Sequence, residues 1–186
     1  LVSAGEKDKT SAISRDHTIH ISRSGLVTIT GGKWTTYRRM AQETIDQAAT
    51  VAYLDERPCV THHLPIHGYH NQSEKFGSLS AYGADASGIQ DLLYGRPDLA
   101  EKLHPALETI KGEVIWAARH EMARTVEDFL SRRTRGLLLD ARASIEAAPL
   151  VAELMAKELG RDENWAGKQT NTYKELAKGY LLAKPS

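Results

Sequence analysis

The sequence predicts a mainly α-helical chain: a C-terminal helical bundle, preceded by a β-hairpin, a Gly-Gly-Lys turn and one helix. Two short segments near the start alternate in polarity or are rich in β-branched residues, as strands are. From Leu79 onward, apolar residues recur at helical spacing. No apolar run approaches the roughly 20 residues that a membrane-spanning helix needs.

Charge and cysteine content exclude several classes of protein. The 186 residues include 24 Lys and Arg and 24 Asp and Glu, so the formal net charge is zero. A neutral chain has no long-range attraction to nucleic acid or to an anionic membrane. Cys59 is the one cysteine, which excludes an internal disulfide and favours a reducing compartment. Because the sequence opens at Leu1 without Met, we expect further residues upstream.

The hairpin is predicted from residues 17–22 and 26–30. The first segment alternates polar and apolar residues, the second is rich in β-branched residues, and Ser24 and Gly25 between them favour a turn. Two strands of this length need a further element to bury their apolar side chains.

A helix is predicted directly after Gly31, Gly32 and Lys33. Either Thr35 or Thr36 caps it, and its apolar positions continue to about residue 53. Because a hairpin and one helix cannot enclose a core, we expect residues 1–54 to be the C-terminal piece of a larger domain.

Residues 55–78 are predicted to form a linker loop, since they contain prolines and four histidines but no sustained period. A metal site would have to use some of these histidines, which are His62, His63, His67 and His70. They lack a carboxylate or cysteine at ligand spacing other than Cys59. We therefore interpret the segment as a solvated loop and predict no metal site.

Residues 79–186 are predicted to form a helical C-terminal domain. Gly95 and Gly160 are placed to end helices, Pro97 to start one, and Thr125 to cap one. The predicted helices are 86–94, one from 97, 113–123, 126–133, 141–159 and 171–182. The predicted core includes Trp116, Phe129 and the leucines Leu137, Leu138 and Leu139.

The arginines at 132, 133 and 135 form the one basic run of the sequence. A nucleic-acid reader needs a basic face on a positively charged domain, which this bundle does not supply. We expect these arginines to pair with Glu121, Glu127 or Asp128, or with domains missing from this chain, and predict no nucleic-acid partner.

The Gly31-Gly32-Lys33 turn is the candidate ligand site. Two glycines let a ligand approach the backbone, the following helix start offers N–H groups, and Lys33 adds a positive charge. By itself the tripeptide is better explained by a turn with a solvent-facing lysine.

The wider sequence resembles the FAD-dependent (aerobic, mitochondrial-type) glycerol-3-phosphate dehydrogenases. The resemblance rests on Ser-Arg-Asp-His at 14–17, on the octapeptide Gly-Gly-Lys-Trp-Thr-Thr-Tyr-Arg at 31–38, and on residues 119–135. It covers nearly the whole chain.

The resemblance implies a fold and a set of site residues. Residues 1–54 would be the remnant of an FAD-binding α/β domain. The residues implied to contact FAD are Gly31, Gly32, Lys33, Trp34, Thr35 and Thr36, and those implied to bind substrate are Arg15 and Lys33. The chain would hold no complete catalytic set.

The implied activity is oxidation of sn-glycerol 3-phosphate to dihydroxyacetone phosphate by a flavoprotein that passes electrons to quinone. The full-length enzyme would be cytoplasmic and peripheral on the inner face of the cell membrane, would need the missing N-terminal domains as partners, and could be a homodimer. The Gly-x-Gly-x-x-Gly turn that binds the FAD pyrophosphate does not occur in this sequence. We therefore expect the chain alone neither to hold FAD tightly nor to be active. Two alternatives stay open: a fragment of an oxygen-using glycerophosphate oxidase, and a non-catalytic helical interaction module.

Overall fold

The structure is a computed structural model that describes residues 16–181. Six α-helices and a two-stranded antiparallel hairpin are found in that range, so the predicted fold class is confirmed. The chain divides into two compact units between Ile66 and His67. The boundaries at residues 54 and 78 remain predictions.

The first unit begins with the hairpin of β1 (His17–Ile21) and β2 (Val27–Gly31). His17 lies opposite Gly31, and Ile21 lies opposite Val27. The turn is closed by backbone hydrogen bonds from Ser22 to Leu26 and from Gly25 to Ser22. Gly25 has a φ of 83°, which explains why glycine occupies this turn.

A single 3₁₀ turn, Trp34–Thr36, follows β2 and leads into helix α1 (Tyr37–Val51). Thr36 is the cap residue, which is one of the two predicted caps. The helix ends two residues before the predicted position, because Tyr53 takes a positive φ of 53°.

The described part of the first unit, residues 16–66, contains no buried residue. Its exposed large apolar side chains are Ile21, Leu26, Trp34, Tyr37, Ile45, Tyr53, Leu54, Val60, Leu64 and Ile66. The hairpin and helix therefore do not enclose a core of their own, as the sequence predicts.

The regular elements of the second unit are helical, and an isolated antiparallel bridge pairs Lys102 with Ile110. The helical elements are a run of 3₁₀ turns (Ser73–Asp85), α2 (Ala86–Gly95), a 3₁₀ turn (Pro97–Ala100), α3 (Lys111–His120), a π-helical segment (Asp128–Arg133), α4 (Gly136–Leu139), α5 (Ala141–Leu159) and α6 (Glu163–Lys178).

Helix α5 has the predicted bounds. The Asp140 carboxylate accepts hydrogen bonds from the N–H groups of Arg142 and Ala143, both at 3.0 Å. Gly160 ends the helix with a φ of 63°. Both ends are thus set by residues next to the helix in sequence.

Two other helices differ from prediction. Helix α6 begins at Glu163, well before the predicted residue 171, because Asp162 caps it by accepting the Trp165 N–H at 2.8 Å. Helix α3 ends at His120 rather than at residue 123, since the chain turns at Met122, where φ is 57°.

The core of the second unit is formed mainly by α3, α5, α6 and the π-helical segment. Its largest fully buried side chains include Phe129, Leu130, Met155 and Tyr173. A smaller cluster contains Leu79, Ala86 and Ile89, with Trp116 packed against it.

The prediction of three core leucines was wrong for two of them. Leu137 is buried, but Leu138 and Leu139 are 67% and 78% exposed. Successive helical residues point about 100° apart, so a single turn such as α4 presents only one of the three to the core.

Between residues 16 and 181, no helix is both long enough and apolar enough to cross a membrane.

Candidate functional site

The Gly31-Gly32 turn takes a conformation that favours glycine at both positions. Gly31 has a φ of 78° and Gly32 a φ of 89°. Residues that have a side chain rarely adopt such positive φ values. The turn therefore presents bare backbone at the end of β2.

Gly32 also lies against neighbouring side chains. A Cβ at this position would lie 2.4 Å from the Met40 sulfur and 3.4 Å from the His17 Cβ. The residue lies between strand β1 and helix α1, so a larger residue would force the Met40 side chain to move.

Lys33 and Thr36 close the next turn. The Lys33 N–H donates to Thr36 Oγ1 at 3.3 Å, and that hydroxyl donates to the Lys33 carbonyl at 3.0 Å. The Thr36 N–H also donates to the Lys33 carbonyl at 3.0 Å. The segment is thereby fixed as a helix start, in which the Thr36 and Tyr37 N–H groups donate to the Lys33 and Trp34 carbonyls. Such a start attracts anions.

The side chains from Lys33 to Thr36 are exposed. The Trp34 ring is 85% exposed and stacks on Tyr37 with 5.3 Å between ring centroids. Gly31, Gly32, Lys33, Trp34, Thr35 and Thr36 thus form one continuous surface. Arg15, the other predicted substrate residue, lies outside the described residues.

Sequence reasoning missed a set of three hydrogen-bonded side chains next to this surface: His17, Glu43 and Arg39. His17 Nε2 lies 2.6 Å from Glu43 Oε2, and the Arg39 guanidinium donates to Glu43 Oε1 at 2.6 Å. The Arg39–Glu43 pair has the i,i+4 spacing that a sequence can show. The His17 contact joins a strand to a helix 26 residues away and has no local signal.

The second unit contains a buried carboxylate. Glu113 accepts the Tyr82 O–H at 3.0 Å and the Ile110 N–H at 2.7 Å. Burial raises the pKa of Glu113, and these two hydrogen bonds oppose the shift. Burial also raises the pKa of Tyr82, reinforced by the charge of Glu113.

The predicted ion pairs of the basic run are confirmed for Arg132 and Arg133. Arg132 contacts Glu127 at 2.5 Å and Asp128 at 2.9 Å. Arg133 lies 4.0 Å from the Glu121 carboxylate, and its Nε donates to the Glu121 carbonyl at 3.0 Å. These contacts connect the end of the π-helical segment to its start and to Glu121.

Two histidines of the predicted loop have partners within the second unit. His67 Nε2 lies 2.8 Å from Asp85, and the His70 ring packs edge-on against Phe76. Among residues 16–181, no group of three or more His, Cys, Asp and Glu is placed to hold a metal ion.

Comparison with known proteins decides the family. A family model described as the C-terminal domain of alpha-glycerophosphate oxidase matches residues 59–166, more than half of the chain. The chain belongs to this family. The match covers α2 to α5 and the start of α6, so it lies mainly in the helical second unit.

Individual relatives extend the similarity across both units. A mitochondrial glycerol-3-phosphate dehydrogenase of Homo sapiens is 35% identical over 196 residues, which cover 95% of this chain and 27% of the relative. The Macaca fascicularis enzyme of the same name gives the same identity and coverage. One from Arabidopsis thaliana is 31% identical, over 94% of this chain and 33% of the relative. The predicted resemblance is thus confirmed, and the chain spans about a third or less of these relatives.

These three relatives are named as mitochondrial proteins, whereas the sequence led us to expect a cytoplasmic enzyme at the cell membrane. Charge and cysteine content do not distinguish these two compartments, since a neutral chain with one thiol is compatible with either compartment.

Proposed function

We propose that this chain is the C-terminal part of an FAD-dependent glycerol-3-phosphate dehydrogenase. The observation that carries the proposal is the strand–Gly31-Gly32–helix junction, with two positive φ values and an exposed helix start. Bare backbone and a helix N-terminus suit the edge of a flavin ring or another anionic, planar group. The names of the relatives supply the substrate.

The residues that would hold FAD are Gly31, Gly32, Lys33, Trp34, Thr35 and Thr36. The glycines would admit the ring edge, and the first turn of the helix would donate hydrogen bonds to it. Trp34 offers an exposed ring for packing. When bound, FAD supplies N5 as the hydride acceptor for oxidation of sn-glycerol 3-phosphate at C2.

Substrate binding is assigned to Lys33 and Arg15. The Lys33 ammonium would hold the C2 oxygen and stabilise the negative charge that develops on it as the hydroxyl proton passes to a base, before the carbonyl forms with departure of the C2 hydride. Arg15 would donate several hydrogen bonds to hydroxyl or phosphate oxygens, as a guanidinium fork can. The product is dihydroxyacetone phosphate, and quinone at a membrane would take up the electrons.

The test is substrate-dependent bleaching of flavin absorbance in the full-length protein that contains this chain. Lys33→Met preserves side-chain length but removes the charge, so kcat should fall about 100-fold or more. Lys168→Met, at an exposed position of α6, is the matched control and should leave kcat unchanged. A full-length protein without flavin, or wild-type kcat in Lys33→Met, would refute the assignment.

A second candidate is an oxidase that uses oxygen, favoured by the description of the matching family model. The electron acceptor separates the two. Stoichiometric peroxide formation on turnover would identify the oxidase, and turnover that requires a quinone or dye would identify the dehydrogenase.

The 186-residue chain by itself should bind little flavin, because it lacks a Gly-x-Gly-x-x-Gly turn for the pyrophosphate. Its absorbance spectrum after gel filtration measures this directly. A stoichiometric flavin band would contradict the expectation.

A further inference from the structure

His17 lies next to the Gly31-Gly32 turn. In the hairpin it lies directly opposite Gly31. Its Cβ would be 3.4 Å from a Cβ on Gly32. His17 therefore contacts the turn from the strand side.

One face of helix α1 contacts the turn from the other side. Met40 lies beneath Gly32, and Glu43, three residues later on the same face, contacts the His17 ring at 2.6 Å. Strand β1 and helix α1 are thus joined by a hydrogen bond directly beside the turn. The His17 side chain is only 16% exposed, so solvent competes weakly for this bond.

Glu43 is itself held in place. Its second oxygen accepts a hydrogen bond from Arg39, one helical turn earlier. The hydrogen bond from Arg39, followed by the one from His17, lowers the pKa of Glu43, so this carboxyl group stays ionised at neutral pH. An ionised carboxylate only accepts hydrogen bonds, which means that His17 Nε2 carries the hydrogen.

We propose that His17 is a positioning residue which, through Glu43, fixes the Gly31–Gly32–Lys33 backbone against helix α1. It thereby sets the absorbance spectrum and midpoint potential of a flavin bound there. This inference rests on the proposed function. His17 donates to a helix carboxylate and lies behind the turn, so it acts through the backbone of the turn rather than by touching substrate.

The experiment compares His17→Phe with His17→Gln in the full-length protein. Phenylalanine fills similar space but cannot donate a hydrogen bond, whereas glutamine retains an N–H donor. His17→Phe should shift the flavin absorbance spectrum and midpoint potential and lower kcat by up to about 100-fold, because a small displacement of reacting groups costs that much. His17→Gln should recover most of the wild-type spectrum and potential.

His104→Phe is the matched control for lost stability. His104 also contacts a glutamate, Glu146, at 3.0 Å, and its side chain is 23% exposed, but it lies in the second unit. It should lower the unfolding temperature about as much as His17→Phe without altering the flavin spectrum or potential. If His17→Phe does not fold, Glu43→Gln tests the same bond, since its amide weakens the contact with little change in volume.

The outcomes separate the two proposals. Absence of flavin from the wild-type full-length protein would refute the proposed function itself. A flavin-containing wild type whose spectrum, potential and kcat are the same in His17→Phe or Glu43→Gln overturns only the positioning role. Equal spectral changes in His104→Phe would also overturn it, because the effect would then follow from general destabilisation.

Discussion

The Tyr82 hydroxyl donates a 3.0 Å hydrogen bond to the buried carboxyl group of Glu113, which also accepts the Ile110 N–H at 2.7 Å. Ile110 is the cap residue of helix α3, and Glu113 is the third residue of its first turn. One carboxyl group thus accepts the hydrogen bond of an N–H group at the start of α3. The same group connects this start to the 3₁₀ run that contains Tyr82.

The first prediction concerns the pH dependence of stability. Burial raises the folded-state pKa of Glu113 above its ordinary value of 4.5, so the folded state binds this proton more tightly than the unfolded state does. The stabilisation is complete below pH 4.5 and is lost as pH rises through the folded-state pKa. Glu113→Gln cannot titrate, so the free energy of unfolding of the wild type minus that of the variant should fall with rising pH.

Urea unfolding at a series of pH values measures this difference. Tyr82→Phe serves as a second variant: it removes a hydrogen bond that lowers the pKa of Glu113, so the loss of stability should move to higher pH. A difference between the wild type and Glu113→Gln that does not change with pH would contradict the assignment.

The second prediction contrasts adjacent leucines of α4. Leu137 is 3% exposed and Leu138 is 67% exposed. Leu137→Ala should cost about 2–5 kcal/mol of unfolding free energy, as deletion of a buried leucine side chain does. Leu138→Ala should change it by less than about 0.5 kcal/mol. Equal costs in urea unfolding would mean that both leucines are buried.

The third prediction contrasts two helical glycines. A Cβ on Gly88 in α2 would lie 2.6 Å from the Trp116 ring, which is itself packed against the His120 ring. Gly88→Ala should therefore destabilise by about 1–3 kcal/mol despite the better helix propensity of alanine. Gly167 in α6 has no atom within 4 Å of an added Cβ, so Gly167→Ala should stabilise by about 0.5–1 kcal/mol. Thermal unfolding of both variants checks the opposite signs.

The fourth prediction concerns Gly32. Gly32→Ala places a Cβ at a φ of 89° and against the Met40 sulfur, so it should displace the turn and reduce the flavin content of the full-length protein. Adding Met40→Ala removes the steric contact but leaves the backbone strain, so it should restore part of the flavin content. Flavin-to-protein absorbance ratios after gel filtration provide the measurement. Wild-type flavin content in Gly32→Ala alone would show that the turn is not constrained.

Local sequence predicted the elements whose limits are set by neighbouring residues. Helix α5 illustrates this: Asp140 and Gly160 adjoin its ends, and both bounds were predicted. The hairpin and the turn at Gly31 and Gly32 were predicted for the same reason, since alternation and glycine pairs act within a few residues. Helix α6 was predicted to start too late, because its first turns have few apolar residues and the cap at Asp162 was not recognised.

The sequence by itself determined that this is a mainly helical chain with one hairpin and a glycine-rich turn, and its octapeptide predicted the family that the comparisons confirm. Only the tertiary structure decided that Leu137 alone of three leucines is buried, and that His17 bonds to Glu43. The physical reason is distance along the chain: periodicity and capping act over a few residues, whereas the His17–Glu43 bond spans 26 and depends on how a strand and a helix pack together.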